Sequence, residues 1–254
     1  MRGCDTERLL RFLFLGFLAA GLSWGQADSG CASCHEEISK KIKNSTHAGV
    51  DCSTCHPKHE NFPHPEGIPK PACAQCHPQV AGEHARGVHG QARAQGNQAA
   101  PDCGICHGSP HETLRPRSQQ FRQAIPDTCG MCHTEEARQY LESVHGTALM
   151  KGIADAPLCT DCHGEHSILP RSQADSPVSP GHIRDTCARC HSDVRLSRRF
   201  GLPADRVISF DASFHGLANR AGNQSVANCA SCHGYHDILP SADPRSRVNV
   251  KNLP

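Results

Sequence analysis

Sixteen of the 17 cysteines fall into eight Cys-x-x-Cys-His pentapeptides, and any fold for this chain must accommodate all eight. They are Cys31/Cys34/His35, Cys52/Cys55/His56, Cys73/Cys76/His77 and Cys103/Cys106/His107. The other four are Cys129/Cys132/His133, Cys159/Cys162/His163, Cys187/Cys190/His191 and Cys229/Cys232/His233. At the chain's own Cys and His frequencies, fewer than one such motif would arise by chance. Zinc sites also pair cysteines, but they do not require a histidine directly after every second thiol. Structural disulfides suit an exported chain, yet leave those histidines unexplained. The spacing is that of c-type haem attachment. Two thiols add to the porphyrin vinyl groups, and the adjacent histidine ligates iron from the proximal side. Eight covalently bound haem c groups are expected.

Composition agrees with a chain that does not fill its own middle. Hydrophobic residues make up 37% of the 254 and aromatic residues 4%, against about 45–50% apolar in ordinary globular chains, a benchmark that also counts glycine. A large apolar sheet is therefore not expected, and bound haems are expected to supply the interior. The net charge of +1 gives no basic field for nucleic acid.

Residues 1–27 read as a secretory signal. Arg2, Arg8 and Arg11 precede an apolar run from Phe12 to Leu22, and Gly25-Gln26-Ala27 offers small residues for cleavage before Asp28. The run is short for a membrane span, which needs about 20 residues; an uncleaved anchor is the alternative reading. No later stretch is apolar enough to cross a bilayer. The expected location is the periplasm, or an extracellular or membrane-associated position reached through partners.

The motifs alternate in character. After the odd-numbered ones another histidine follows: His35 to His47, His77 to His89 and His133 to His145 are steps of 12 residues, and His191 to His215 is one of 24. A small residue comes next: Ala48, Gly90, Gly146 and Gly216. After the even motifs a histidine returns within three or four residues: His59, His111, His166 and His236. An apolar residue (Phe62, Leu114, Leu169, Leu239) and then a proline (Pro63, Pro116, Pro170, Pro240) follow. Residues 28–254 thus divide into four two-haem units, about 31–63, 73–116, 129–170 and 187–240, with a polar tail over 241–254. Stacking of neighbouring units is expected.

The fold class expected is mainly α with extensive irregular coil and little or no sheet. EEISKKIKNST and TEEARQYLESV are helix formers with acids in the first turn, and PQVAGEHARGV is a weaker one. Glycine after the later histidine suggests a helix end. The tail reads as a frayed terminus.

Eleven histidines remain after the eight proximal ones. The repeat selects eight as sixth ligands: His47, His59, His89, His111, His145, His166, His215 and His236. His64, His84 and His182 are left as surface or propionate-bonding residues. Methionine is the rival ligand, but beyond the initiator only Met131 and Met150 exist, and Met131 lies inside a Cys-x-x-Cys spacer. His59, one turn from His56, would project the same way, so it is expected on a different haem. A histidine about 18 Å along a straight helix is likewise expected to bridge to a neighbouring ring.

Ser143-Val144-His145-Gly146, followed by Cys159 to Pro170, resembles exported multihaem c-type cytochromes of respiratory bacteria, of the broad cytochrome c3, cytochrome c554 and NapC/NirT type. Phe214-His215-Gly216 and Cys229 to Pro240 repeat the pattern. The resemblance covers nearly all of residues 28–254. It implies electron relay in anaerobic respiration between partners such as a membrane quinol oxidase and a periplasmic or outer-membrane acceptor. The doubled His191–His215 interval and the shortened gap from His47 to Cys52 depart from the pattern. The function expected is electron transfer through low-spin bis-histidine haems, with no catalytic residue. The alternative is a multihaem reductase of nitrite, hydroxylamine or an oxidised sulfur compound, which needs one open haem.

Overall fold

A computed structural model describes residues 29–57, 59, 62–64, 67 and 69–253. The expected export segment, residues 1–27, lies outside the described residues. Among the latter the chain is helical and irregular, without strands, as the composition suggested. The first stretch carries α1 (Ser29–Cys34), α2 (Glu36–Lys43) and α3 (Cys52–Cys55). The second has a 3-10 turn at Cys73–Gln75, then α4 (Pro78–Arg86), α5 (Val88–Ala94) and α6 (Cys103–His107). The third has α7 (Gln119–Gly130), α8 (Thr134–Glu142), α9 (Val144–Met150) and α10 (Cys159–His163). The fourth has α11 (Ile183–His191), α12 (Val194–Phe200), α13 (Arg206–Ala212), α14 (Phe214–Arg220) and α15 (Cys229–His233). None of these helices crosses a membrane, being too short and too polar.

The segments expected to be helical after His35, His77 and His133 are α2, α4 and α8. They do not run straight to the next histidine. α8 stops at Ser143, whose backbone is extended (φ −72°, ψ 168°), and α9 starts a new axis. Ser143 Oγ donates to Tyr140 O at 2.6 Å and accepts from Gly146 N at 3.1 Å, so one hydroxyl closes one helix and caps the next. Ser213 repeats both bonds at the α13–α14 corner. Gly87 supplies the same extended backbone between α4 and α5.

This corner corrects the expectation that the glycine after each later histidine ends a helix. Gly90, Gly146 and Gly216 lie inside α5, α9 and α14. A Cβ on Gly146 would sit 2.0 Å from Tyr140 O, and one on Gly216 2.0 Å from Phe210 O. Glycine is there because two helices meet at van der Waals distance. The doubled His191–His215 interval also has a cause: α12, ended by Gly201 in the left-handed region (φ 64°), is an added helix before the usual corner.

The buried apolar cluster is small: Tyr140, Leu149, Ala156 and Leu158, with Ile125, Leu141, Ala148 and Ile153 partly buried around it. Tyr140 satisfies its hydroxyl on Pro157 O at 2.6 Å. The tail also departs from expectation. Ser246 and Asn249 are buried, and successive turns run Asp243 N to Pro240 O, Ser246 N to Asp243 O and Asn249 N to Ser246 O. The same ladder occupies Pro170, Gln173, Ser176 and Ser179, and Ser176 and Ser246 each bond the leucine carbonyl seven residues back. The tail is thus folded through residue 253 as a copy of the 170–179 turn.

Candidate haem-ligand pairs

The even motifs each form one helical turn. Asp102 caps α6 through Ile105 N, Asn228 caps α15 through Ala230 N and Ser231 N, and the Asp161 carboxylate accepts from Leu158 N at α10. Glycines 108, 164 and 234 follow with φ of 71°, 87° and 85°, turning the chain sharply so that the next histidine leaves the helix axis. After the first three odd motifs the proximal histidine instead stands at the N-cap of the following helix, as His35, His77 and His133 do. His191 ends α11.

Across the chain the histidines meet in twos. Ring centres lie 6.2 Å apart for His35–His64, 6.2 Å for His47–His77 and 5.9 Å for His56–His111. They are 6.2 Å apart for His89–His133, 6.1 Å for His107–His166, 6.2 Å for His145–His191 and 6.0 Å for His163–His236. Every pair contains one histidine of a Cys-x-x-Cys-His motif. A metal–nitrogen bond of about 2 Å on each side, plus about 1.2 Å from each nitrogen to its ring centre, requires a separation of about 6.3 Å. The pairs therefore have the spacing of two imidazoles on opposite faces of one ion.

The pairing follows a rule. An odd-motif partner lies one segment forward: His47 faces His77, His89 faces His133 and His145 faces His191. An even-motif partner lies one segment back: His111 faces His56, His166 faces His107 and His236 faces His163. Backbone bonds enforce this register. Thr46 N donates to Thr113 O at 3.0 Å, Val88 N to Ile168 O at 2.8 Å and Val144 N to Ile238 O at 2.9 Å. Each bond ties the residue before a forward-facing histidine to the residue two places beyond a backward-facing one.

Four predicted placements differ from this scheme. His64, set aside as a surface residue, faces His35. His59 is not opposite a motif histidine of its own. Its ring is 6.2 Å from His56, which already faces His111, and 5.7 Å from His64. Its Nδ1 is 3.2 Å from Pro57 O, while Nε2 is buried without a hydrogen-bond partner. His215 is exposed, and its ring contact is Phe214 at 5.7 Å. Among the described residues no imidazole faces His233, which is also exposed. His182 bonds Ser176 O through Nδ1 at 3.2 Å and so helps close the 170–179 turn.

Burial holds several paired imidazoles in the neutral form that can donate a lone pair. It lowers the pKa values of His56, His89, His107, His163 and His191, and the facing histidine adds to the effect in the first four. For His191 the added contribution comes from His233. His145 is pushed down to about 4 by burial and by His191 opposite. Glu83 Oε2 lies 3.7 Å from His166 Nδ1, placed to orient that ring.

The thiols make a second linear pattern. Within segments, Cys73 lies beside Cys103, Cys129 beside Cys159 and Cys187 beside Cys229. The neighbouring thiol lowers Cys129 and Cys229 to about 7 and raises Cys159 and Cys187. Between segments, Cys55 neighbours Cys76, Cys106 neighbours Cys129 and Cys162 neighbours Cys190. From the second motif to the eighth, motifs adjacent in sequence are adjacent in space.

The two thiols of the fifth motif, expected to hold one haem together, are placed differently. Cys129 is half-buried and sits in this row, whereas Cys132 is exposed. The first, seventh and eighth motifs repeat the difference: Cys31, Cys187 and Cys229 are half-buried, and Cys34, Cys190 and Cys232 are exposed. The fifteen motif cysteines from Cys34 to Cys232 are free thiols. Among the described residues, no three His, Cys, Asp or Glu side chains converge as a bare ion's ligand set would.

Comparisons of the chain with family models, curated proteins and solved structures found no match.

Proposed function

We propose that this chain is an exported electron-transfer protein holding eight covalent c-type haems, most of them ligated by two histidines, in one ordered row. The observation that carries the reading is the seven histidine pairs at 5.9–6.2 Å, each with one member in a Cys-x-x-Cys-His motif. Two protein ligands per site, rather than three or four, suit a metal whose other ligands come from a porphyrin plane. When bound, haem iron supplies a reversible one-electron change. The small apolar cluster leaves the volume that such groups would fill.

The chain's own residues would do three things. The thiols of each motif fix a ring covalently; an exposed thiol such as Cys132 serves as well as a half-buried one, because attachment needs access to the vinyl group. The paired imidazoles close both faces, which excludes water and substrate and favours outer-sphere transfer at low potential. The cross-segment pairs, held by the Val88–Ile168 and Val144–Ile238 bonds, keep successive sites at fixed spacing. The thiol order, from Cys52 to Cys232, supports a single path along the chain. Redox partners at either end, such as a quinol oxidase and a periplasmic or outer-membrane acceptor, complete the proposed circuit. The exposed, unpaired His233 favours one second reading: an open haem at which a small oxidised nitrogen or sulfur compound is reduced.

Intact mass after expression in a host that matures cytochromes tests the proposal. Eight added haems and a ferric spectrum dominated by low-spin signals are expected. A colourless chain at apoprotein mass would overturn it.

A further inference from the structure

Two histidines are unmatched on one face of the 187–240 segment. In the interior, each contact between consecutive segments exchanges a pair of ligands. The 129–170 segment lends His145 forward to His191 and receives His236 opposite His163. The 187–240 segment presents the same two elements, a forward histidine at His215 and a receiving site at His233. Both are exposed, and no histidine ring faces either among the described residues. Phe214 N, which corresponds to the Val144 N that bonds Ile238 O, has no such carbonyl among the described residues.

The composition of this face is the reverse of what an end left to water should have. Repeat proteins end on polar outer faces. At the covered α8–α9 corner, Arg138, Glu142, Val144 and Thr147 line a groove against Leu239 and Arg245. Seventy residues on, the matching positions of α13–α14 are Ile208, Ala212, Phe214 and Leu217. Ile208 is 71% exposed, Phe214 77% and Leu217 53%. The uncovered copy of the face is the more apolar one, so a partner for it is indicated.

The face carries one histidine without an iron and, on the haem reading above, one iron without a histidine. It is complementary to itself. A two-fold axis brings each element opposite the other, as an isologous contact requires. Head-to-tail addition is disfavoured at the other end of the chain, because the His35 position that a preceding segment would serve already faces His64. We propose that two copies of this chain associate through this face, with His215 of each ligating the iron anchored at His233 of the other. The Nε2 lone pair of His215 would replace water on the ferric iron. One Fe–O bond breaks and one Fe–N bond forms, and no electron or proton moves. The apolar residues Ile208, Phe214 and Leu217 are buried around the two new bonds.

The test is sedimentation and ferric EPR of the full haem-loaded chain across a dilution series, with haem number fixed by intact mass. A dimer with all irons low-spin is expected at high concentration. Dilution should release monomers and, in step, one high-spin iron per chain. His215→Ala should stay monomeric and keep that high-spin iron at every concentration. Phe214→Glu should weaken association about tenfold or more with eight haems retained. Species that grow beyond a dimer would overturn the proposal in favour of a filament. So would a monomer whose high-spin ferric iron persists when concentrated and which, after reduction with dithionite, takes up one carbon monoxide per chain, making the site a small-ligand site. A mass short of eight haems overturns the cofactor reading, and the proposal with it.

Discussion

The α8–α9 and α13–α14 corners are built alike and clothed differently. Both turn on a serine that bonds the helix before and caps the helix after, and both press a glycine against a carbonyl. At the first corner Leu149 is 2% exposed, packed among Tyr140, Ala156 and Leu158 of its own segment, and His145 faces His191 of the next. At the second, Asn219 takes the place of Leu149, with a buried amide nitrogen that finds no partner, and His215 points outward. Backbone geometry is therefore set by local sequence, whereas the fate of the histidine it presents is set by the neighbouring segment.

The comparison can be broken most severely at the shared turn. Gly146→Val puts a branched side chain into Tyr140 O, 2.0 Å from the Cβ position; a loss above about 4 kcal/mol is expected, read by thermal melting. The histidines separate the two corners spectroscopically. In the haem-loaded chain His145→Ala should add one high-spin ferric iron at any concentration, whereas His215→Ala should leave the dilute monomer's EPR spectrum unchanged. Packing separates them again. Leu149→Ala should cost about 2–5 kcal/mol and Asn219→Ala no more than about 0.5 kcal/mol, compared by denaturant unfolding.

A smaller effect than that of Leu149→Ala concerns the ion pair at the second corner. Arg184 on α11 donates to the Asp211 carboxylate on α13, and both side chains are partly buried. Arg184 holds Asp211 below the usual carboxylate range. A lowered acid stabilises the fold above its unfolded pKa of about 3.9, and that contribution is lost as pH falls through the folded value. Asp211→Asn should therefore cost about 1.5–3 kcal/mol at pH 7. The gap between variant and parent in chemical denaturation should narrow steadily below about pH 4.

Much of this was legible in the residues. The helices after His35, His77 and His133 follow from their formers and leading acids, and the absence of strands among the described residues from the composition. The alternation of odd and even motifs singled out six of the seven histidines that face a motif histidine, and missed His64. Which faces which was not readable, because that depends on bonds between residues as far apart as Val88 and Ile168. The glycine after each later histidine was misread as a helix end because its neighbour across the corner is six residues back, outside any capping pattern. A signal for the corner was present, in the serine or glycine two places before each histidine: Ser45, Gly87, Ser143 and Ser213. His64 was passed over because it breaks the repeat: it faces His35 of its own segment. The tail's polarity hid a turn whose spacing matches Pro170, Ser176 and Ser179.

Each interior segment passes one histidine forward and one back, and the thiols stay in chain order. Duplicating a segment in the gene would therefore leave every interior match intact and demand no new partner choice. The length of such a row is an evolvable quantity, adjustable by recombination between similar stretches of DNA, while the two ends alone must be reinvented.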